Sequence, residues 1–290
     1  MGTLYLVATP IGNLEDITLR ALRTLREVDL IACEDTRRTG RLLARYEIET
    51  PLISYYEHNK LTKLGYILDT LQTKDVALVS EAGMPGISDP GYELVRAAIS
   101  AGVAVVPIPG PSAPIVALAV SGLPTDSFVY LGFLPRRGKE RRRFLRAMAR
   151  EKRTLVAFEA PHRLLTSLED VEEVLGDREM ALTRELTKLH EEVIRGSVSH
   201  VRAHFKEVRP RGEFTLVIAG AKEEAWEEEK VREALRELRA GGVSGREATK
   251  EVAELSGHPR SEVYKVWLDL ANKGNPVKLG KIPGGSNDRS

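Results

Sequence analysis

The sequence predicts an α/β protein built from two α/β domains and a small C-terminal helical domain. Apolar runs rich in Val, Leu and Ile alternate with segments of helical period up to about Ala221, an order typical of sheets covered by helices. From Glu223 onward this alternation gives way to charged amphipathic helices. We therefore place the domains at residues 1–122, 123–222 and 223–275. A Gly/Pro/Ser-rich tail at residues 276–290 is expected to be disordered.

In the first domain, apolar runs predict the strands of a largely parallel sheet. They cover residues 3–9, 29–33, 51–54, 75–79 and 103–110. The helical patterns between them cover residues 38–46, 60–71 and 92–99, with one further helix beginning at Asp16 and another opening at residues 109–113. Because ligands of parallel sheets lie beyond the carboxyl ends of the strands, the loops after these strands should converge on one crevice.

The second domain repeats the alternation after a linker at residues 121–126. Its strands are predicted at residues 128–133, 154–158, 180–183, 192–195 and 214–219, and its helices at about 139–150, 161–175 and 197–206. In the last domain, Ser244 and Pro259 stand where helices begin and Gly257 stands where one ends, so a three-helix unit is expected.

The loop SEAGMPGISDPG, residues 80–91, is the segment most suggestive of ligand binding. Its three glycines and two prolines cannot form the interior of a helix or strand, and they allow the backbone to approach another molecule closely. A phosphate-binding loop would carry a lysine, whereas this one carries the acidic Glu81. The loop therefore predicts a ligand held by backbone groups, and its acidic residues favour a positively charged ligand. A tight connection without any ligand is the alternative.

Composition excludes several classes of protein. No run approaches the roughly 18 consecutive apolar residues that a membrane span needs. The N-terminal segment enters a strand pattern at once, so no signal peptide is expected. Cys33 is the single cysteine, which excludes an internal disulfide and a cysteine-rich zinc site. We expect a cytoplasmic protein without a metal site.

A basic cluster at residues 136–153 predicts contact with nucleic acid. It holds ten Lys or Arg residues against two Glu residues, so it lacks the acids needed for local pairing. The residues expected to contact RNA are Arg136, Arg137, Lys139, Arg141, Arg142 and Arg143. The alternative is a solvated helix whose arginines pair with distant carboxylates. Basic residues of the last domain are interspersed with acids, which favours RNA and protein partners equally.

Six motifs in order carry a family resemblance. They are VATPIGNLEDIT, ACEDTRRTGRLL, SEAGMPGISDPG, PIPGPSA, FEAPHRL and TRELTKLHEE. Together they resemble the small-subunit ribosomal RNA (cytidine-2′-O-)-methyltransferases of the tetrapyrrole-methylase superfamily, from Thr3 to about Ala219. The last helical unit resembles the small C-terminal domain of that family. The resemblance implies two α/β domains with a deep cleft between them that binds S-adenosyl-L-methionine, usually in a homodimer. The implied reaction is methylation of a cytidine ribose 2′-hydroxyl in the decoding centre of 16S ribosomal RNA.

The resemblance also implies, position by position, which residues contact the cofactor. From the first domain they are Pro10, Ile11, Gly12, Glu81, Ala82, Gly83, Met84, Pro85, Gly86, Ile87, Ser112 and Ala113. From the second domain they are Phe133, Glu159, Ala160, Pro161, Leu182, Thr183, Arg184, Glu213, Phe214 and Thr215. Better-studied tetrapyrrole methylases have Gly-Asp-Pro where this chain has Gly83-Met84-Pro85, so no carboxylate role is transferred to Met84.

A ribose hydroxyl is a weak acid, so its methylation calls for a general base or a cation beside the developing alkoxide. The catalytic candidates are Asp35, Arg37, Glu81, His162, Arg184, Glu185 and Lys188, with Glu34 also near a strand end. His162 could instead pack at a helix start, and Glu185 and Lys188 could pair with each other. Arg37 and Arg163 could hold RNA phosphates.

Two other functions are compatible with these patterns. A methylase of this fold could act on a small tetrapyrrole or corrin, although neither the basic cluster nor the helical domain would then have a purpose. A non-enzymatic nucleic-acid-binding protein could use the C-terminal helices, but this reading leaves the strand-end loops unexplained.

Overall fold

The computed structural model describes residues 1–56, 60–87, 91–222 and 226–273. By Cα proximity the chain forms two units, Met1–Ala221 and Lys222–Ser290. The expected disordered tail and residues 88–90 of the glycine-rich loop lie outside the described residues. None of the helices in the described ranges combines the length and apolarity that a membrane crossing requires.

The first sheet is entirely parallel in its described strands. These are β1 (Thr3–Val7), β2 (Leu30–Cys33), β3 (Leu52–Ser54), β4 (Val76–Val79) and β5 (Ala104–Ile108), in the spatial order β3-β2-β4-β1-β5. The helices are α1 (Leu19–Glu27), α2 (Thr36–Arg45), α3 (Lys60–Thr70), α4 (Tyr92–Ser100) and α5 (Ala113–Ser121). Successive side chains of β1 enter opposite cores, with Leu4 facing α3 and α4 and Val7 facing α1 and α2. Helices thus cover both faces of this sheet, as a buried parallel sheet requires.

The second sheet is mixed. Its strands are β6 (Phe128–Phe133), β7 (Thr154–Glu159), β8 (Glu179–Arg184), β9 (Glu192–Ser197) and β10 (Phe214–Ile218), in the order β6-β7-β10-β8-β9. Strands β6 and β7 run parallel, whereas β10 is antiparallel to both β7 and β8. The beginning of β10 therefore lies at the same edge of the sheet as the ends of β7 and β8.

The two faces of this sheet are covered by helices from different domains. One face packs against α6 (Gly138–Ala147), α7 (Leu164–Leu175) and α8 (Val198–Glu207). The other face packs against α5 of the first domain, whose Ala117 and Leu118 contact Val156 and Val217. Helix α5 therefore belongs to the core of both domains and fixes the spacing between the two sheets.

The predicted fold class is confirmed, with small shifts of the element ends. The helix predicted from Asp16 begins at Leu19, because the Thr18 hydroxyl accepts a hydrogen bond from the Ala21 amide and caps it. Residues Leu14–Asp16 form a separate 3₁₀ turn capped by Asn13. The helix predicted at 139–150 ends at Ala147.

The Lys222–Ser290 unit contains α9 (Glu228–Ala240), α10 (Gly245–Ser256) and α11 (Arg260–Lys273). A small apolar core of Val231, Leu235, Ala248, Val252 and Val263 holds them together. As expected from the sequence, Ser244 caps the start of α10 and Gly257 ends it in the left-handed conformation.

Arg141 is a correction to the predicted RNA-contacting set. Its guanidinium pairs with Asp170 of α7, with Nε 2.6 Å from Oδ2, and the two side chains are only 5% and 6% exposed. Arg142 also reaches Asp170, with Nη1 2.7 Å from Oδ1. Because Arg141 is enclosed between α6 and α7, it holds these helices together and cannot present its charge to a phosphate.

We expect Arg141→Ala to lower the free energy of unfolding by about 3 kcal/mol, because the substitution leaves the buried Asp170 carboxylate short of its main partner. The matched control is Arg143→Ala on the same helix, where the arginine is exposed and the change should stay within about 0.5 kcal/mol. Urea unfolding of the two variants measures both values. Equal losses would contradict the structural role assigned to Arg141.

Candidate active site

A cavity of about 430 Å³ opens between the two sheets of the Met1–Ala221 unit. The first domain lines it with Ile11, Glu34, Glu81, Ala82, Gly83, Met84, Ile87, Ser112, Ala113 and Pro114. The second domain lines it with Phe133, Phe158, Glu159, Ala160, Pro161, Thr183, Leu186, Gly212, Glu213, Phe214 and Thr215. The first set comes mainly from loops after parallel strands, and the second from the edge where β7 and β8 end and β10 begins.

A pair of backbone hydrogen bonds positions the glycine-rich loop in this cavity. The Thr9 amide donates to the Gly83 carbonyl at 2.9 Å, and the Gly83 amide donates to the Thr9 carbonyl at 3.0 Å. Two buried hydroxyls reinforce the pair, since Thr9 Oγ1 donates to the Ser80 carbonyl and Ser80 Oγ to the Gly83 carbonyl, each at 3.1 Å. Gly83 has a φ of 82°, which favours glycine. The loop is therefore fastened across the end of β1.

Two carboxylates occupy the first-domain wall. Glu81 forms an ion pair with Arg38, whereas the side chain of Glu34 has no hydrogen bond or ion pair with any other described residue. Burial raises the pKa of Glu34 above its ordinary value of 4.5, and the nearby charge of Glu81 raises it further, while the charge of Arg38 offsets only part of this increase. Glu34 is thus a carboxyl group in the cavity wall that is predisposed to take up a proton.

Asp35 and Arg37 lie next to Glu34 in the chain but outside the cavity lining. Asp35 caps α2, and its Oδ1 accepts a hydrogen bond from the Arg37 amide at 2.8 Å. This bond is the main reason why the pKa of Asp35 is lowered. The Arg37 side chain is 90% exposed.

In the second domain, Glu159 shapes the wall of the cavity. Its buried carboxylate accepts hydrogen bonds from the Ala160 amide at 2.7 Å and from the Ser167 hydroxyl, and it pairs with Arg163 at 2.6 Å. Both carboxylate oxygens of Glu159 therefore form contacts that hold the turn at Ala160 and Pro161. Arg163 is largely buried in this arrangement, which removes it as a candidate for holding RNA phosphates.

Aromatic side chains form the apolar part of the cavity. The rings of Phe133 and Phe158 lie 5.3 Å apart between centroids, and Phe214 lines the same wall. Neighbouring threonine hydroxyls, Thr183 and Thr215, add polar groups beside them. Such a combination suits a flat heteroaromatic ring with hydrogen-bonding edges.

The segment from Glu185 to Lys188 joins the two domains at the rim of the cavity. The Lys188 ammonium pairs with Glu185 at 2.9 Å and with Glu213 at 3.2 Å. Burial would lower the pKa of Lys188, but these two carboxylates raise it overall, so the amine stays charged. A Cβ added to Gly12 would lie 2.5 Å from Lys188 Cγ, which shows how closely the first-domain loop approaches this segment.

Burial alone would raise the pKa of Glu185. Hydrogen bonds from Lys188 and from the Glu213 amide nevertheless lower the pKa overall. Glu185 is therefore a charged member of an ion-pair cluster and does not line the cavity.

Most residues of the cavity lining, but not all of them, are among those predicted from the sequence to contact the cofactor. Residues expected to contact the cofactor that do not line the cavity are Pro10, Gly12, Pro85, Gly86, Leu182 and Arg184. Leu182 faces the core under α7 and α8, because side chains alternate along β8 and Thr183 takes the cavity side. Arg184 instead donates to the Arg211 carbonyl at 2.9 Å.

Among the predicted catalytic residues, Glu81 lines the cavity, whereas Asp35, Arg37, His162, Arg184, Glu185 and Lys188 do not. His162 is exposed on a 3₁₀ turn. The lining residues missed by the sequence-derived cofactor set are Glu34, Pro114, Phe158, Leu186 and Gly212. The rule that ligands lie beyond the carboxyl ends of strands does not predict Gly212, because Gly212 precedes β10. The sequence does not reveal that β10 runs antiparallel to β7 and β8.

Comparisons with known proteins agree with this architecture. A family model described as Tetrapyrrole (Corrin/Porphyrin) Methylases matches residues 3–202. "Ribosomal RNA small subunit methyltransferase I" of Synechocystis sp. is 50% identical over 279 residues, covering 94% of this chain and 100% of that protein. The protein of the same name from Thermotoga maritima is 54% identical over 221 residues, covering 76% of this chain and 99% of that protein.

Solved structures show the same fold. Diphthine synthase has a TM-score of 0.58 at 14% identity and matches 76% of this chain and 90% of its own. A uroporphyrin-III-C-methyltransferase from Thermus thermophilus has a TM-score of 0.52 at 23% identity and matches 75% of this chain and 94% of its own.

The chain belongs to the tetrapyrrole methylase family. The resemblance inferred from the sequence motifs is thereby confirmed, and S-adenosylmethionine is the methyl donor of this family. The cavity of this tetrapyrrole methylase fits that cofactor. Its lining, as far as the structure describes it, contains two acidic side chains of the first domain and no lysine or arginine, which suits a sulfonium cation without a phosphate. The aromatic wall of the second domain suits an adenine ring.

Two glycines of the loop offer a matched test of this fit. Gly83 and Gly86 have φ angles of 82° and 84°, so valine strains the backbone equally at both positions. A Cβ on Gly83 would lie 3.5 Å from Ile11 Cγ2 in the cavity wall, whereas one on Gly86 would meet no described atom within 4 Å. We expect Gly83→Val to weaken S-adenosylmethionine binding at least about tenfold, a loss of about 1.4 kcal/mol. Gly86→Val should change it far less in isothermal titration. Equal effects would mean that strain, and not occupation of the cavity, controls binding.

Proposed function

We propose that this protein is an S-adenosylmethionine-dependent methyltransferase of the small-subunit ribosomal RNA. The observation that carries the proposal is similarity over nearly the whole chain to proteins named ribosomal RNA small subunit methyltransferase I, including 50% identity over 94% of this chain. The acceptor we propose is the ribose 2′-hydroxyl of a cytidine in the decoding centre of 16S ribosomal RNA, as the six sequence motifs imply. Such an enzyme would work in the cytoplasm.

The two walls of the cavity would hold different parts of the cofactor. Backbone groups from Ala82 to Met84, together with Ser112 and Ala113, would hold its methionine portion near the carboxylates of the first domain. The phenylalanine rings and the two threonines of the second domain would hold the adenine portion. Bound S-adenosylmethionine would supply a methyl group on a positively charged sulfur, and the acceptor hydroxyl must lose its proton as this group is transferred. Alignment and exclusion of water between the two domains would then contribute much of the rate.

Glu34 is the side chain best placed to accept that proton. It lines the cavity, it has no hydrogen bond or ion pair with a described residue, and burial raises its pKa. A raised pKa makes a carboxylate a stronger base for the proton of the acceptor hydroxyl. Glu81 is already engaged in an ion pair with Arg38, so we assign it to cofactor binding. The ion pairs of Lys188 with Glu185 and Glu213 would hold the rim of the cavity in place.

The exposed part of the basic cluster would receive the RNA. Strand β6 ends at Phe133 in the cavity wall, and the basic segment follows it directly. Arg136, Lys139 and Arg143 are exposed and form no ion pair with a described carboxylate, whereas Arg137 pairs with Glu140 at 3.3 Å and remains largely exposed. These cations can neutralise RNA phosphates near the acceptor site. Arg142 shares Asp170 with Arg141 and would contribute less.

We also propose that the enzyme is a homodimer, as the family resemblance implies. Apolar side chains exposed on α4 and α5, among them Tyr92, Ile99 and Ile115, offer a surface that a second copy could cover.

Mass-spectrometric mapping of ribose methylation on small ribosomal subunits tests the proposal. Subunits from cells that lack the protein should lose one 2′-O-methylcytidine in the decoding centre, and the wild-type chain should restore it while Gly83→Val does not. An unchanged set of ribose methyl groups would contradict the proposed acceptor. If the methyl group that is lost lies on a base instead of a sugar, the protein would still be a ribosomal RNA methyltransferase, but the ribose would not be its acceptor.

For the proposed base, we expect Glu34→Gln to lower kcat about 10²- to 10⁴-fold with little change in S-adenosylmethionine binding. Since the deprotonated carboxylate is the active form, wild-type kcat should rise with pH and fall as pH drops through the pKa of Glu34. That acid limb should lie above the ordinary value of 4.5 and be absent from the variant.

The matched control is Asp35→Asn, which changes the adjacent carboxylate and keeps a side chain that caps helices well. Asp35→Asn should leave kcat unchanged and should keep the fall of kcat at low pH. An acid limb that survives in Glu34→Gln, or disappears in Asp35→Asn, would show that Glu34 is not the base.

A further inference from the structure

The Lys222–Ser290 unit has an open groove of about 560 Å³ between the start of α10 and the first half of α11. Arg246 of α10 and Arg260, Tyr264 and Trp267 of α11 form most of its lining. The methyl-transfer reaction proposed above uses none of these side chains. Residues 260, 264 and 267 are spaced so that they share one face of α11, which makes the groove continuous along that helix.

The two arginines of the groove are exposed and have no carboxylate partner among the described residues. Three other cations of the same unit have carboxylate partners, since Arg232 contacts Glu228 and Asp269, Arg236 contacts Glu229, and Lys250 lies 3.9 Å from Glu254. The Arg260 guanidinium donates to the Arg246 carbonyl at 3.0 Å, which holds it beside the start of α10. The groove therefore presents two cations that have no carboxylate partner among the described residues.

The aromatic residues of the groove differ in exposure. Trp267 packs tightly against Gly245, where an added Cβ would lie 2.6 Å from the indole Nε1, so Trp267 forms the floor. Tyr264 is 48% exposed and leaves one ring face available at the edge. Unpaired arginines beside an exposed aromatic ring form the combination by which proteins bind single-stranded nucleic acid.

We propose that this groove binds a single-stranded segment of the ribosomal RNA, with a phosphate between Arg246 and Arg260 and a base stacked on Tyr264. This inference rests on the proposed function, because it assigns part of the same RNA substrate to the C-terminal unit. The T. maritima relative matches over 221 residues and 99% of its length, so it has about the length of the Met1–Ala221 unit alone. The groove therefore adds affinity for the substrate and takes no part in methyl transfer.

The test compares two double variants of the full chain that remove equal charge from the same unit. Arg246→Gln with Arg260→Gln changes the groove, and Arg236→Gln with Lys250→Gln changes exposed cations outside it. Binding of a single-stranded 16S ribosomal RNA fragment containing the decoding centre is measured from low to physiological salt. The groove variant should reduce the slope of log affinity against log salt by about 0.7, since each neutralised phosphate of a single strand contributes about 0.7 and the two arginines share one phosphate. The control variant should keep the wild-type slope.

Stacking is tested separately at Tyr264. Tyr264→Ala should weaken RNA binding roughly tenfold, and Tyr264→Phe should restore it, because stacking needs the ring and not the hydroxyl. S-adenosylmethionine affinity, which the Met1–Ala221 unit determines, should be unchanged in every variant.

Wild-type RNA affinity and salt slope in the groove variant would overturn the inference and leave the proposed methylation intact. Weaker binding to intact small subunits with unchanged binding to free RNA would also overturn it, because the groove would then contact a ribosomal protein. Conversely, a wild-type chain that binds RNA through the groove but methylates no ribosomal RNA would support the inference while contradicting the proposed function.

Discussion

The hydrogen bonds between Thr9 and Gly83 are the constraint on which the candidate site depends. They join the ends of two neighbouring parallel strands, β1 and β4, and turn the glycine-rich loop back over the sheet. Because Thr9 and Ser80 are buried and their hydroxyls are also engaged, the loop has few alternative positions that would satisfy these groups. The backbone and small side chains that follow can then form a cavity wall instead of a flexible connection.

The second wall is held by a different kind of contact. Helix α5 packs its apolar side chains against the second sheet, so the spacing of the two sheets is set by a shared core and not by surface contacts. The buried carboxylate of Glu159 fixes the turn at Ala160 and Pro161. At the rim, Lys188 links Glu185 and Glu213 beside Gly12. The cavity is therefore largely preformed, which reduces the entropy lost when a ligand binds.

The charge distribution separates the cavity from the surface proposed to bind RNA. The cavity wall carries carboxylates without lysine or arginine in its described lining, whereas exposed cations follow β6 on the outside. Of the two first-domain carboxylates, Glu81 forms an ion pair with Arg38, whereas Glu34 has no hydrogen bond or ion pair with a described residue. This asymmetry between neighbouring acids is the pattern expected when one of them binds and the other exchanges a proton.

The sequence predicted the fold well because apolar periodicity and turn residues are local signals. It also predicted the first-domain wall, since the carboxyl ends of parallel strands must meet at one edge. It failed where partners are distant in the chain. The ion pair of Arg141 with Asp170 turned a predicted RNA contact into a buried structural one. The antiparallel direction of β10 brought Gly212 into the site, and the alternation along β8 removed Leu182 from it.

A crystal structure with bound S-adenosylhomocysteine tests the central claim most directly. The account predicts ligand density in the interdomain cavity, in contact with the backbone near Gly83 on one side and with Phe133 and Thr215 on the other. Density elsewhere, or contacts with only one of the two sheets, would contradict it.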